Sequence, residues 1–486
     1  MNYYVSKTYK MVTYTQSHID IKDLNPSRLG ELVKINGWVR NIRIQASLIF
    51  IEAYDGSTSK TIQLITEDTS HFDQLYTLNI GSAISVSGTV TQHPTKQDQV
   101  EIKIATIHYT SKIHDPLHNP LNAKKTSLEM LRDHQDSRVK TRTFNAVFRI
   151  RAGLSKATHD YFHTKGYHHL NPNIITTSDC EGGGEVFTIT TLLDKSTATI
   201  PIKQETLNTI DYNKDFFEKQ AFLTVSSQLQ LELLCAGLGK VWTSNKSFRS
   251  EKSRTTRHLA EFEHIEWETA WCDLVGLMDM SEEFTQYAFN YVLTNHRDDL
   301  EELNKFTSKG LISKLESFMQ PYIRITYDEA ISIIDTKQDE IKKLYKLETL
   351  PKWGDDLGSE CEKYLAENIY KQPLFVYNYP KALKSFYMMA NPDNRTVQGC
   401  DLLIPGLGEL IGSSVREYDY DRLMQVVKER NMDPSPLKWY LELRRNGSTP
   451  TAGAGLGFDR LVRICTGMEN IRDAVPFPVA YQECRF

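Results

Sequence analysis

Apolar and polar residues alternate along much of the chain between Leu32 and Tyr109. In residues 84–87, for example, isoleucine and valine alternate with serines, and residues 100–105 show the same pattern. This period of two is typical of a strand with one buried face. Further runs of this kind, with turn residues such as Asp55-Gly56 between them, lie at 34–43, 47–54 and 61–65. About five short strands within roughly 80 residues predict a small closed barrel.

Helical spacing replaces the alternation after residue 141. Apolar residues recur every three or four positions and predict an amphipathic helix that ends at Gly166: Val147, Ile150, Leu154, Ala157 and Tyr161. Strand-like runs follow at 184–191, 221–226, 240–250, 258–268 and 374–377. Helix-like runs lie at 227–236, 273–295, 338–347, 358–370 and 418–430. Because the two kinds of run lack the regular order of a parallel sheet, we expect an α+β fold.

The chain is therefore predicted to contain four segments. Residues 1–25 form a polar N-terminal extension, and residues 26–113 form a barrel of the OB type. Residues 114–141, which contain two prolines, read as a linker. Residues 142–486 form a large domain with a helical insert at about 273–372.

Composition excludes several classes of protein. With 486 residues, 40% hydrophobic and 24% charged, the chain resembles an ordinary folded protein. No apolar stretch approaches the ~18 residues of a membrane span, so no membrane partner is expected. The net charge of −5 argues against binding nucleic acid by bulk charge, and DNA is not an expected partner. Seven cysteines without CxxC spacing, and an N-terminus without an apolar leader, predict a cytoplasmic protein.

The first cluster with chemical meaning is Phe248-Arg249-Ser250-Glu251, followed by a basic loop and then by His258 to Phe262. If two strands flank the loop, Arg249 and Glu251 lie on one face, opposite His258, Phe262 and Glu266 of the return strand. That face would offer a guanidinium to phosphate, a carboxylate to an exocyclic amine and a ring to a purine. The alternative is a solvated charged hairpin in which Phe262 belongs to the core.

The second cluster is a glycine-rich strand, residues 453–457, that leads into an apolar helix with Arg460 in its first turn. Glycines let a ligand approach the backbone, and the first turn of a helix favours phosphate. The segment is neither a Walker loop nor a dinucleotide fingerprint. Taken together, the two clusters predict a nucleotide site.

These clusters, in this order, resemble motifs 2 and 3 of the class II aminoacyl-tRNA synthetases. The helix 146–163 with residues 166–172 resembles motif 1, and the N-terminal barrel matches subclass IIb, the aspartyl, asparaginyl and lysyl enzymes. Within that subclass three segments are similar to asparaginyl-tRNA synthetases: residues 181–187, 223–232 and 405–417. The resemblance implies a catalytic domain with an antiparallel sheet flanked by helices. It also implies the ATP-dependent attachment of L-asparagine to tRNA(Asn) through an adenylate.

The resemblance also implies roles for individual residues at the ATP site. Arg249 and Arg460 would be the catalytic residues: Arg249 bridges the α-phosphate and the amino-acid carboxylate, and Arg460 covers the adenine and reaches the γ-phosphate. The other ATP ligands would be Glu251, His258, Phe262 and Glu409. Glu409, helped by Asp401, would hold Mg²⁺, a hard cation that prefers oxygen ligands.

The amino-acid site is expected to contain Glu181, Gln228, Glu232 and Arg416. Glu181 and Gln228 would hold the α-amino group, Glu232 would accept the amide N–H bonds and Arg416 would donate to the amide oxygen. Aspartyl enzymes carry lysine and glutamine where this chain has Leu231 and Glu232, which favours asparagine over aspartate. The alternatives are a solvated Glu232 beside a core Leu231, and an aspartyl or non-discriminating enzyme. A paralogue that makes asparagine and a catalytically inactive tRNA-binding protein are weaker alternatives.

Two further expectations follow from the resemblance. Arg43, Phe50 and Gln63 would bind the anticodon, with Phe50 stacking on a base; the alternative places Phe50 in the barrel core. The motif 1 helix and the strand with Pro172 would form a homodimer interface. Residues 261–267 and Val479–Tyr481 depart from the family pattern; the first change is expected to affect packing only.

Overall fold

The computed structural model describes residues 18–122, 126–178, 186–193, 200–203 and 209–486. The chain divides into two compact units, residues 1–146 and 147–486. Each unit is described separately below.

The first unit contains a closed five-stranded barrel in the order β1-β2-β3-β5-β4. Its elements are β1 (Leu32–Gln45), β2 (Leu48–Tyr54), β3 (Ile62–Thr66), α1 (Phe72–Leu75), β4 (Ala83–Gln92), β5 (Val100–Thr110) and α2 (Leu128–Asp133). Alternate residues point inward, so that Ile49, Ile51 and Leu64 are fully buried. The predicted OB-type barrel is therefore confirmed.

The second unit combines helices with one large sheet and one small sheet. The helices are α3 (Arg142–Thr164, which begins in the first unit), α4 (Gln228–Leu238), α5 (Leu274–Asn295), α6 (Arg297–Phe306), α7 (Leu311–Ser317), α8 (Tyr327–Thr336), α9 (Gln338–Tyr345), α10 (Gly358–Tyr364), α11 (Tyr420–Glu429), α12 (Lys438–Arg445) and α13 (Phe458–Thr466). The strands are β6 (His168–His169), β7 (Ile175–Thr176), β8 (Thr188–Ile189), β9 (Ala221–Leu223), β10 (Lys240–Phe248), β11 (Glu261–Ala270), β12 (Ile323–Thr326), β13 (Leu374–Tyr377), β14 (Gly399–Ile404), β15 (Gly408–Val415) and β16 (Thr451–Gly457).

The large sheet has eight strands in the order β12-β13-β14-β15-β16-β11-β10-β6. It is antiparallel from β13 to β10, and β12 and β6 join its two ends in parallel. The centre of the sheet unites distant parts of the sequence, because Gly455 of β16 lies opposite Glu266 of β11 and Gly412 of β15. The α+β prediction, with an antiparallel sheet and helices, is confirmed.

The apolar stripe of α3 faces the interior of its own chain. Val147, Ile150, Leu154 and Ala157 are fully buried, and the Tyr161 ring lies 5.0 Å from that of Phe284 on α5. The stripe therefore offers no exposed apolar face to a second copy, and the expectation that it would do so was wrong. The homodimer itself stays a prediction that needs other contacts.

No helix in the described ranges is long and apolar enough to cross a membrane. The region between β11 and β13 contains α5 to α10 and the short strand β12. This helical region packs on the large sheet chiefly through α5, which lies against β14, β15 and β16.

Candidate active site

A cavity of about 130 Å³, called cavity A here, opens where β10, β11, β15 and α13 meet. Six of its lining residues are those predicted for a nucleotide: Arg249, Glu251, His258, Phe262, Glu409 and Arg460. They come from three separate parts of the sequence, and the order of the strands brings them together. The alternative for the first cluster holds in part, because Phe262 packs against a small core cluster, but Phe262 also lines cavity A.

The local fold explains how the two arginines reach cavity A. Strand β10 ends at Phe248, and the backbone N–H of Arg249 donates to the carbonyl of Ala260 at 2.9 Å. The Arg249 guanidinium then lies 5.6 Å from the centre of the Phe262 ring. Arg460, in the first turn of α13, donates from Nη1 to the carbonyl of Glu409 at 2.9 Å. Both guanidiniums are thus anchored beside the cavity.

Two side chains of cavity A, His258 and Glu409, have shifted pKa values. Burial lowers the pKa of His258, so this imidazole is neutral near pH 7. Its Nδ1 lies 2.8 Å from the hydroxyls of Ser253 and Thr255. Burial opposes ionisation of Glu409, but Arg460 and Lys384 outweigh it and hold the pKa of this carboxyl below its usual value.

A second cavity of about 260 Å³, called cavity B, lies beside cavity A. The two share Arg249, His264, Glu409 and Gly455 in their linings. Of the residues predicted for the amino acid, Gln228 and Arg416 line cavity B. Glu181 lies outside the described residues.

Arg416 is held at cavity B by a buried carboxylate that sequence reasoning missed. Its Nη2 donates to Glu268 at 2.9 Å and its Nε at 3.1 Å, and Nη1 donates to Ser414 at 2.6 Å. Both side chains of the Arg416–Glu268 pair are at most 4% exposed. A Cβ at Gly453 would collide with Glu268 and Arg416, so glycine at this position makes room for the ion pair.

Glycine at position 455 serves a similar purpose. A Cβ there would lie 2.6 Å from Nε2 of His264. The glycines of β16 were expected to let a ligand approach the backbone, and Gly455 does line both cavities. At Gly453 and Gly455, however, the space above the backbone is occupied by neighbouring side chains.

Glu232 is buried behind the wall of cavity B. Its side chain is 1% exposed, so the alternative of a solvated helix residue was wrong. Oε1 accepts from Gln228 at 3.0 Å, and Oε2 accepts from Tyr440 at 2.8 Å and from Arg444. Helix α4 lines the cavity with Gln228 and Leu231, whereas Glu232 is absent from the described lining. Direct contact between Glu232 and an amide stays a prediction, and the geometry favours an indirect role.

The ionisation of this network is fixed by its own partners. Burial opposes ionisation of Glu232, but Arg444 and then Arg416 outweigh it and lower the pKa of this carboxyl. Burial raises the pKa of Tyr440 well above its usual value, so the phenol remains a hydrogen-bond donor. Arg416 Nε lies 3.7 Å from Glu232 Oε1, which links this group to the Arg416–Glu268 pair.

Asp401 and Glu409, the predicted metal ligands, flank Gly412. A Cβ at Gly412 would lie 3.2 Å from Oε1 of Glu409 and 3.6 Å from Oδ1 of Asp401. The other oxygen of Asp401, Oδ2, accepts from Lys384 at 2.7 Å. Oδ1 of Asp401 and Oε1 of Glu409 thus both lie close to Gly412, and such a pair of oxygens suits a hard cation that takes its remaining ligands from phosphate. The described residues contain no group of three or more side chains that could hold a metal ion by themselves.

Sequence reasoning missed several residues that line the cavities. His264 and Glu268 lie two and six residues after Phe262 on β11, on the face where the alternation had already placed Glu266, so the same period could have found them. The expectation that residues 261–267 affect packing only was therefore too narrow. Lys384 and Tyr387 line cavity B from a loop between β13 and β14, where no sequence signal marks them.

The barrel has a cavity of its own, of about 450 Å³, lined by Arg43, Phe50 and Gln63. Phe50 is half-buried, while its neighbours Ile49 and Ile51 fill the barrel core. The alternative that Phe50 belongs to the core is therefore not what the structure shows. Arg43 lies opposite Phe50 on β1, with its guanidinium 5.7 Å from the ring, and Gln63 donates to Glu101 at 2.8 Å.

Comparisons with known proteins agree with this arrangement. Residues 128–481 match the family model described as tRNA synthetases class II (D, K and N). Residues 33–108 match the OB-fold nucleic acid binding domain. The chain belongs to the class II tRNA synthetases of this D, K and N family.

Individual relatives narrow the family further. The chain is 43% identical over 475 residues to an asparagine–tRNA ligase of Cytophaga hutchinsonii, covering 96% of this chain and 99% of the relative. It is also 43% identical to an asparagine–tRNA ligase of Microcystis aeruginosa, covering 92% and 94%. The crystal structure of asparaginyl-tRNA synthetase from Pyrococcus horikoshii complexed with asparaginyl-adenylate has a TM-score of 0.82 at 32% identity, covering 96% and 99%. The resemblance to asparaginyl-tRNA synthetases inferred from the motifs is confirmed.

Proposed function

We propose that cavities A and B are the ATP and asparagine sites of an enzyme that attaches L-asparagine to tRNA(Asn). The enzyme is an ATP-dependent ligase. Asparagine and ATP give asparaginyl-adenylate and pyrophosphate, and the asparaginyl group then passes to the terminal adenosine of the tRNA. The observation that carries this proposal is the shared wall of the two cavities, where Arg249 and Glu409 line both.

In the first step a carboxylate oxygen of asparagine attacks the α-phosphorus as the bond to the leaving pyrophosphate breaks. Arg249, which lines both cavities, can donate to the carboxylate and to the α-phosphate together. It aligns the two reactants and stabilises the charge that develops between them. Phe262 stacks on the adenine, Glu251 accepts its amine, and Arg460 and His258 hold the phosphate tail.

The residues beside cavity A fit Mg²⁺ as the divalent cation. Glu409 and Asp401 would hold it, and when bound it neutralises phosphate charge. Lys384 forms an ion pair with Asp401. Its positive charge offsets the negative charge of one of the two carboxylates, which reduces their repulsion of ATP.

Asparagine selection is proposed to depend on the charge balance behind cavity B. Arg416 donates to the amide oxygen, while Glu232 acts through its bond to Gln228 and its proximity to Arg416. Glu232, Glu266 and Glu268 are all buried near this wall. A substrate carboxylate would add a like charge to them in a dry environment, which disfavours aspartate.

ATP–pyrophosphate exchange tests the function directly. Exchange supported by L-asparagine should exceed exchange supported by L-aspartate by at least about a hundredfold, since unpaired buried charge is rejected by several kcal/mol. Equal exchange with the two amino acids would replace this proposal by the non-discriminating alternative. Exchange with neither would indicate an inactive tRNA-binding protein.

The barrel cavity is proposed to read the anticodon. Phe50 offers a half-exposed ring to a base, and Arg43 and Gln63 offer donors beside it. Replacing Phe50 with alanine should weaken aminoacylation of tRNA by about ten- to a hundredfold, because stacking on one base is worth ~1–3 kcal/mol.

The Phe50→Ala variant should leave asparagine-dependent exchange unchanged, since this half-reaction needs no tRNA. Ile44→Ala, at an exposed position on the same strand as Arg43 and outside the cavity lining, is the matched control for aminoacylation. A parallel loss in both half-reactions would assign Phe50 to stability instead of anticodon binding.

A homodimer is proposed to form through the motif 1 region. The support is the position of β6 at the end of the large sheet, where His168 and His169 are exposed. Sedimentation velocity at micromolar concentration should therefore give a species of about twice the mass of one chain. An active species with the mass of a single chain would contradict the dimer.

We also propose that the enzyme works in the cytoplasm. Six of its seven cysteines lie in the described residues, and all six are free thiols. Free thiols are typical of a reducing compartment.

A further inference from the structure

A further cavity, called cavity C, has a volume of about 370 Å³ and lies at the C-terminal end of α13. The chain after α6, helix α7, the turn before β15 and the end of α13 form its walls. Its polar lining is mainly basic and hydroxylic: Thr307, Ser308, Lys309, Lys314 and Arg463, with Glu469 as its acidic member. None of the substrate roles proposed above involves these side chains.

Arg463 is the unusual residue of this cavity. It is 8% exposed, and its Nε donates to the carbonyl of Met468 at 3.1 Å. Its Nη1 has no hydrogen-bond partner within the described ranges. Burial, reinforced by Arg257 and Arg460 and only partly opposed by Glu469, lowers the pKa of Arg463 to about 10. A buried guanidinium without a carboxylate partner is costly, because the interior does not replace the lost hydration.

Lys314 is a second cation of this cavity that forms no ion pair among the described residues. Burial lowers the pKa of its ammonium; the carboxylate of Glu367 offsets part of this effect, and Arg463 adds to it. The ammonium lies over Gly406, where a Cβ would collide with it. The nearby carboxylate of Glu367 is engaged elsewhere, since its Oε1 accepts from the backbone of Gly406 at 2.6 Å. Neither Lys314 nor Arg463 forms an ion pair among the described residues.

On the side of the cavity that carries the hydroxyls, Ser308 packs closely against Gly467. Gly467, at the end of α13, has a φ of +67°, and a Cβ there would overlap the side chain of Ser308. Glycine thus lets the Ser308 hydroxyl approach the helix end. The buried Arg463, the half-buried Lys314, the exposed Lys309 and two hydroxyls form a donor set with few acceptors of its own.

We propose that cavity C binds a small phosphate oxyanion, either inorganic phosphate or pyrophosphate. A tetrahedral anion with two or more charges can take donors from both cations and from the hydroxyls at once. Because Arg463 is buried, a small ion that enters the cavity can reach it. An RNA backbone would instead need exposed cations. The site lies next to cavity A, because α13 contributes Arg460 to cavity A and Arg463 to cavity C.

Calorimetric titration of the full chain tests the proposal. With L-asparagine, Mg²⁺ and saturating α,β-methylene ATP, the substrate cavities are occupied, and inorganic phosphate should bind with one equivalent per chain. Lys314→Met should weaken this binding by at least tenfold. Lys305→Met, at an exposed lysine on α6 outside the cavity lining, should leave it unchanged. If Lys314→Met does not fold, Lys309→Met replaces it as the test variant and should also weaken phosphate binding.

A parallel titration with pyrophosphate distinguishes the two sources of the anion. Binding of pyrophosphate alone, lost in Lys314→Met, would identify the reaction product as the ligand, and binding of both ions would identify phosphate in general. The proposal is overturned if neither ion saturates a site, or if Lys314→Met binds as tightly as the wild type. A raised KM for tRNA in Lys314→Met without phosphate binding would also overturn it, in favour of an RNA contact.

Discussion

Replacing Arg249 with alanine should lower asparagine-dependent ATP–pyrophosphate exchange by about 10²–10³-fold. The guanidinium lines both substrate cavities, so its loss removes the group proposed to join the carboxylate to the α-phosphate. Removal of one well-placed donor from a site of developing negative charge costs ~2.7–4 kcal/mol. The loss should be largest in kcat, because the charge that Arg249 stabilises is greatest in the transition state.

Arg254 provides a matched control for Arg249. It lies on the same loop, is exposed and does not appear in the described lining of either cavity. Arg254→Ala should therefore retain exchange within about twofold, in keeping with a surface substitution. Exchange above a tenth of the wild-type rate in Arg249→Ala would show that another residue aligns the reactants.

Glu232→Gln should lower the free energy of unfolding of the large unit by ~3–5 kcal/mol. The change leaves Arg444, whose side chain is 2% exposed, beside a neutral amide in place of a carboxylate. Breaking a buried ion pair from one side has this large effect because the remaining charge stays desolvated. Denaturant unfolding monitored by tryptophan fluorescence measures the change, since Trp242 and Trp267 are buried in this unit.

The pair Glu442–Arg445 on α12 is the control for Glu232. Its ions are 3.3 Å apart, with 37% and 62% of their side chains exposed. Glu442→Gln should change stability by less than ~1 kcal/mol, because solvent already screens this pair. Should Glu232→Gln unfold at the wild-type denaturant concentration, Arg444 must find another partner, and the indirect role proposed for Glu232 would lose its basis.

Much of the architecture was readable from consecutive residues. Alternation over residues 32–110 predicted the barrel, and the residue types at Arg249, Glu251, Phe262 and Arg460 predicted a nucleotide site. Such features depend on local periodicity and on chemical type, which a linear sequence states directly. The structure brings all six predicted ATP residues to one cavity.

Tertiary structure alone decided which partner each buried group meets. The stripe on α3 has the same helical period whether it faces a core or a second subunit, and only the position of α5 shows that it is internal. Glu232 reads as an ordinary charged residue on a helix until α12 brings Tyr440 and Arg444 to it from about 200 residues away. Sequence patterns encode which face of an element is buried, whereas sheet order and helix packing determine what that face contacts, because those contacts join segments that share no local period.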